Sequence, residues 1–289
     1  MKAICFFNHY HNGDLFNSKS FIKEIISTIP TKYYYAHSNQ SIVLSDLDVE
    51  HVANFDISHS KKIVDVGDVI WVNTWIGAYF DMSKLYYGEC TLRFLYQMYA
   101  EIYKELNEIF GSDLSLGPID NYFSFVDYSK FDVSNVDQFI SKNKTKKILI
   151  SNGPCLSGQC DYTGDMSPVI ETLAKDNRNK TFIATHPFEC SLNNVVFSND
   201  IIKSDFCDLN EISYLSTFCD VIVGRNSGPF CFASTKDNLK DPNKIFYAFG
   251  SKETDCFVYG VNIECEFIFE YFNTLEDTTG SLSSIISEL

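Results

Sequence analysis

Cys219-Asp-Val-Ile-Val-Gly-Arg-Asn-Ser-Gly-Pro-Phe-Cys-Phe-Ala233 is the stretch on which the reading of the fold turns. Val221, Ile222 and Val223 form a short β-branched run, the pattern of a strand buried in a parallel sheet. Gly224 to Gly228 break that pattern, and Pro229 is well placed as a first helical residue. A strand, a small polar turn and a helix start leave backbone N–H groups and a positive dipole end facing outward. That arrangement suits an anion, most often a phosphate. Arg225 adds charge and Ser227 a hydroxyl. An ordinary βα turn that needs its glycines accounts for the same residues, so this stretch alone leaves both readings open.

Working outward, strands and helices keep alternating. Upstream, Ile148–Ile150 reads as a strand and Ser167–Ala174 as a helix with Pro168 in its first turn. Thr181–Thr185 is a strand running into His186-Pro187, and Val195–Phe197 is another. Asp208 with Glu211 three residues on fits a capping box that opens a helix through Ile212, Leu215 and Phe218. Downstream, Lys244–Ala248 is a strand, Val261–Phe269 alternates as a half-exposed strand, and Ser281–Leu289 closes as a helix. The first half repeats the pattern. Lys2–Asn8, Tyr33–Ala36 and Val69–Trp75 are strands, with a strand end at Ile42–Leu44. A helix spans Ser18–Ile29 and stops at Pro30. The strongest helix runs Thr91–Phe110, apolar at Leu92, Leu95, Tyr99, Ile102, Tyr103, Leu106 and Ile109, and ends at Gly111. Asp113–Asp137 is aromatic and irregular. Ser141–Lys147 is a basic, polar break near the midpoint and reads as a linker. The expectation is α/β, with two Rossmann-like domains, residues 1–143 and 144–289, facing across a cleft.

Composition narrows the function classes. The chain has 289 residues, ample for two domains, and its 45% hydrophobic content is enough for packed cores. No stretch approaches the ~20 apolar residues of a membrane span, and the apolar start is too short for a signal peptide. The net charge of −15 argues against a nucleic-acid partner. The ten cysteines are spread out, without a Cys-x-x-Cys pair. Cys155 and Cys160 are the closest, and a zinc site there would need Cys190 and His186 as well. Buried reduced thiols in a cytoplasmic protein is the reading taken.

Ligands of parallel α/β domains sit beyond the carboxyl ends of strands. Four such ends carry polar, small or imidazole residues. The first strand leads into His11-Asn12-Gly13-Asp14, where Gly13 permits close approach and Asp14 or His11 is a candidate general base. An Asx turn in a surface loop fits the same string. Asn152 and Gly153 follow the first strand of the second half. His186 and Pro187 end another strand, where an imidazole can donate to a phosphate oxygen. Arg225, Asn226, Ser227, Gly228 and Phe230 complete the set.

These residues carry a resemblance. The second half resembles the nucleotide-binding domain of GT-B glycosyltransferases. More narrowly, His186-Pro187 at a strand end, with Ser227 41 positions on in a turn after an apolar strand, is similar to bacterial capsule and teichoic-acid transferases. The resemblance implies that His186, Pro187 and the serine turn hold nucleotide phosphates. Gly228 stands where a second serine is usual. It also implies an acidic or imidazole base in the first-strand loop, here Asp14 or His11. The function expected is metal-independent transfer of a sugar from a nucleoside-diphosphate or CMP donor to a glycan, a lipid-linked glycan or another hydroxyl acceptor, in polysaccharide biosynthesis. No cofactor is called for, and the enzyme would be cytoplasmic, free or peripheral to the inner face of the membrane. Two alternatives are a sugar-nucleotide epimerase and a non-catalytic nucleotide-sugar-binding protein. A metal-dependent rival rests on Asp46 and Asp48, an Asp-x-Asp pair of the kind that holds a divalent cation.

Overall fold

A computed structural model of the chain describes residues 1–9, 11–37, 43–52, 56–57, 61–75, 90–154, 164–203, 208–225, 228–253 and 256–289. They form two compact units, Met1–Phe125 with Gly260–Asn262, and Val126–Tyr259 with Ile263–Leu289.

In the first unit, β1 (Ala3–Asn8), β2 (Tyr33–His37), β3 (Glu50–Val52), β4 (Ile63–Val66) and β5 (Val69–Asn73) make one sheet in the order β3-β2-β1-β5-β4. Among the described residues, only β4 runs antiparallel to its neighbour. Central β1 is buried from Ile4 to Asn8, which is why it reads as an unbroken apolar run. Gly67, at φ 59, turns the chain between β4 and β5. Among the described residues, its α-helices are α1 (Asn12–Asn17), α2 (Lys19–Thr28) and α3 (Thr91–Phe110). As the sequence predicts, α3 ends at Gly111 in the left-handed region, whose N–H donates to Asn107 O at 2.9 Å. Its apolar stripe is buried through Leu106, but Ile109 in the last turn is exposed. Phe21 on α2 stacks on Tyr99 of α3 at 3.8 Å. Glu24 of α2 accepts from Tyr103 at 2.9 Å and Tyr122 at 2.6 Å, tying α2 and α3 to the turn Ile119–Tyr122.

In the second unit, β6 (Lys147–Ser151), β7 (Thr181–Ala184), β8 (Val195–Phe197), β9 (Val221–Arg225), β10 (Ile245–Gly250) and β11 (Glu266–Tyr271) form a fully parallel sheet. Its order is β11-β10-β9-β6-β7-β8. The chain winds outward from β6 to β8, returns to β9 beside β6, and winds outward the other way. The order therefore reverses between β6 and β9, the switch point of a doubly wound sheet. The helices are α4 (Ser134–Lys142), α5 (Ser167–Asp176), α6 (Ser198–Ile201), α7 (Leu209–Ser216), α8 (Gly228–Ala233), α9 (Lys236–Leu239) and α10 (Leu275–Ser287). Ile148, Ile150, Phe182, Ala184, Val221, Val223, Tyr247 and Phe249 share one core with residues of α5 and α10.

Several expectations need correction. Ser141–Lys147 runs from the end of α4 through a loop of residues 143–146 into β6, inside the second unit, whereas the division falls at Phe125–Val126. Residues 126–143 belong with the second unit because Tyr214 of α7 donates to Asp137 of α4 at 2.7 Å and Tyr128 meets Ser213 at 3.1 Å. Val43 and Leu44 lie in a turn; Ile42 lies outside the described residues. Asp208 precedes α7 without a side-chain cap bond. The alternating run from Val261 becomes strand only at Glu266, on the sheet edge. Cys5, Cys90, Cys219, Cys256 and Cys265 are buried, and burial pushes the Cys5 and Cys219 thiols up to about 12. Cys155 and Cys160 lie outside the described residues.

Candidate functional site

The carboxyl ends of β9, β6 and β7 lie side by side, the first two flanking the switch point of the second sheet. Register aligns Ile150 with Ala184 on one side, and Ser151 with Gly224 on the other. Just past the strand ends, Asn152 turns its amide onto His186. Its Oδ1 accepts from His186 N at 2.8 Å and its Nδ2 donates to His186 O at 2.8 Å. Arg225 then reaches across from β9. Its Nη2 donates to Asn152 O at 3.2 Å and to Gly153 O. Asn152, Gly153, His186 and Arg225, four residues singled out from the sequence, are thus brought together.

Their roles divide by exposure. His186 and Pro187 are exposed, so the imidazole is open to a ligand. Arg225 is 0% exposed. The expectation that its guanidinium meets a donor phosphate is corrected: the side chain is buried, and its Nη2 donates to two carbonyls of the β6 loop. Phe230, expected in the ligand site, is likewise core. It is buried and packs edge-on against Phe246 at 5.7 Å. Gly228 begins α8, a helix of 6 residues. Asn226 and Ser227 lie outside the described residues.

Asp165 joins this group, although the sequence reading passed over it. It accepts from Ser167 N at 2.8 Å at the start of α5. Its carboxyl is held below the usual range by its bonds to the Ser167 hydroxyl and amide, with a smaller pull from the His186 charge. An Asp two residues before Ser-Pro is a helix-start signal, and that signal was legible.

Gly224 is required here by space. A Cβ at this position would lie 2.7 Å from Ser151 Cβ and 3.2 Å from Phe230 Cδ2. Gly224→Ala should destabilise by about 1–3 kcal/mol through overpacking. A urea midpoint equal to wild type would show that the β6–β9 packing is looser than described.

In the first unit, β1 also ends at a switch point, between β2 and β5, and leads into α1. The expected loop is already helical from Asn12, with Gly13 in its first turn. Asp14 Oδ2 accepts from His11 N at 2.9 Å, so the acid caps the helix that carries it. Burial raises the Asp14 pKa, against the lowering effects of that bond and of the His11 charge. His11 is exposed and Asp14 half-buried. A carboxylate with a raised pKa and an exposed neighbouring imidazole has the chemistry of a general base.

Asp46 has a different partner. It pairs with Lys19 at 2.6 Å, both side chains 0% exposed, with the ammonium 5.2 Å from the Phe125 ring. Asp46 is thus one half of a buried ion pair, where a solvent-facing Asp-x-Asp turn would present it outward.

No family model matches the chain, and no curated protein does. Solved structures do. A glycosyl transferase of family 9 from Veillonella parvula matches with a TM-score of 0.56 at 12% identity, over 99% of this chain and 91% of its own. The E. coli heptosyltransferase WaaC, solved with ADP, matches at 0.54 and 10% identity, over 99% and 97%. E. coli ADP-heptose LPS heptosyltransferase II matches at 0.51 and 10% identity, over 100% and 99%. The fold is that of GT-B glycosyltransferases. The expectation of an α/β chain with two Rossmann-like sheets holds, and at these identities the likeness establishes the fold alone. Among the described residues, no helix is long and apolar enough to cross a membrane.

Proposed function

We propose that the chain is a glycosyltransferase that moves a sugar from a nucleoside-diphosphate donor to a hydroxyl of a glycan acceptor, without a metal. The observation that carries this reading is the exposed His186-Pro187 pair just past the carboxyl end of β7, one strand from the switch point of the second sheet, in a fold shared end to end with sugar transferases. His186 donates to the diphosphate as negative charge develops on the leaving group, the interaction that contributes most in transfer chemistry. Pro187, Gly153 and Gly228 are read as shaping the same edge, and the sequence turn Asn226-Ser227 as part of the donor motif, as in capsule and teichoic-acid transferases. Asp14 takes the proton from the acceptor hydroxyl, with His11 beside it. The nucleotide is taken first as ADP, which the WaaC structure holds.

A thermal-shift panel of ADP-, UDP-, GDP-, CDP- and CMP-sugars, each with and without EDTA, tests the reading. One nucleotide class should raise the midpoint, since a ligand bound only by the folded state stabilises it by mass action. EDTA should leave that shift unchanged. A flat panel overturns the proposal, and a shift abolished by EDTA returns the Asp46/Asp48 rival. Binding without release of nucleoside diphosphate, whatever acceptor is offered, means a non-catalytic binding protein.

A further inference from the structure

We propose that Asn152 and Arg225 form a clasp that holds the His186 peptide in place, and that both act on the donor site through His186 instead of touching the donor. This rests on the reading of His186 as a donor contact. The β6–β7 ladder ends where Thr185 N donates to Ile150 O at 3.0 Å. One residue further on, a chain leaving a sheet has no ladder partner for its N–H and C=O. At His186 the Asn152 side chain supplies both bonds, each at 2.8 Å, because a carboxamide offers the acceptor and donor of one more peptide. Asn152 is itself 8% exposed, so its amide is turned inward onto the chain.

The amide must in turn be held. Arg225 does this from the other side of β6, donating to the carbonyls of Asn152 and Gly153. A buried guanidinium is costly unless its N–H groups find acceptors, and here Nη2 is shared between two adjacent carbonyls. Three strand ends are therefore tied in series: β9 to β6 by Arg225, and β6 to β7 by Asn152. The imidazole stays exposed on a peptide fixed at both its N–H and its C=O. A binding side chain needs such support, since a loose backbone spreads the ring over many orientations.

Two readouts test this. The first needs no nucleotide. In Asn152→Ala, exchange of the His186 amide proton, followed by NMR, should speed up about tenfold or more relative to Ile183 and Ala184. An unchanged relative rate overturns the clasp. Should Asn152→Ala fail to fold, Asn152→Asp keeps the acceptor for His186 N–H and loses the donor to its C=O. It should keep the amide protected and still weaken ADP binding, while unaltered affinity overturns the clasp. The second readout is a double-mutant cycle on ADP affinity by calorimetry. Asn152→Ala and His186→Ala should each weaken binding about tenfold, as for a lost charge-assisted bond. The double variant should bind within about twofold of His186→Ala alone, because residues acting through one contact are not additive. An additive loss of about a hundredfold puts Asn152 on the nucleotide itself and overturns the proposal. If the wild type binds none of ADP, UDP, GDP and CDP, the functional reading fails separately, and the exchange rates decide the clasp.

Discussion

Asp14→Asn should lower kcat for sugar transfer by about 10²–10⁴-fold, the usual contribution of a positioned general base, while leaving donor binding and the fold intact. The amide keeps an oxygen to accept from His11 N–H, so the start of α1 survives the change. The wild-type pH profile carries the same signature. Burial raises the Asp14 pKa above 3.8, so the carboxyl stays protonated, and idle as a base, to a higher pH than an ordinary aspartate. On lowering the pH, kcat/KM should therefore fall with an acid limb above 3.8, and that limb should be missing from the residual activity of Asp14→Asn. Transfer rates with the nucleotide sugar selected by thermal shift decide it. A variant that loses less than twofold in kcat moves the base elsewhere, with His11→Ala the next substitution to measure.

Lys19→Met should cost about 3–5 kcal/mol of stability, the loss expected when one partner of a buried ion pair is removed. The pair is closed off from solvent on both sides, and aromatic faces line the ammonium. Asp46 would then lose the cation at 2.6 Å. The companion variant Lys19→Met/Asp46→Leu should recover most of that loss, because apolar replacements of a whole buried pair are often neutral or better. Urea denaturation at neutral pH measures both. A loss under about 1 kcal/mol in the single variant, well short of that range, would mean that the pair is not closed off and that Asp46 is open to another partner, a metal included.

The parts of this fold that were legible from sequence are those where one physical pattern dominates. Helix α3 came out with its bounds intact because seven apolar residues recur at helical spacing and Gly111 takes a left-handed conformation. Even so, Ile109 belongs to the stripe and is exposed, since periodicity does not say where the neighbouring element stops. Strand β4 was missed, half-exposed at a sheet edge, although Gly67-Asp68 between two β-branched runs is a two-residue hairpin signal. The Ser141–Lys147 stretch misled for another reason. Polarity marks a solvated loop, but whether a loop joins domains depends on what its flanking helices pack against, and here Asp137 and Tyr214 decide that.

The candidate site was half legible. Strand ends and the small residues that follow them drew attention to Asn152, His186 and Arg225, and the structure does gather them. Their division of labour was hidden. A charged residue after an apolar run suggests a ligand, yet register places Arg225 inside the sheet, opposite Phe249. The amide of Asn152 faces a peptide 34 positions away, a pairing that no local pattern encodes.

A crystal structure of the chain with ADP tests the assignment of His186 to the donor diphosphate. The diphosphate should lie at the carboxyl edge of the second sheet, within hydrogen-bonding reach of the His186 imidazole and beside the first turn of α8. Arg225 and Asn152 should remain engaged with the β6 loop and with the His186 peptide. ADP bound away from His186, or no ADP bound at all, would contradict it.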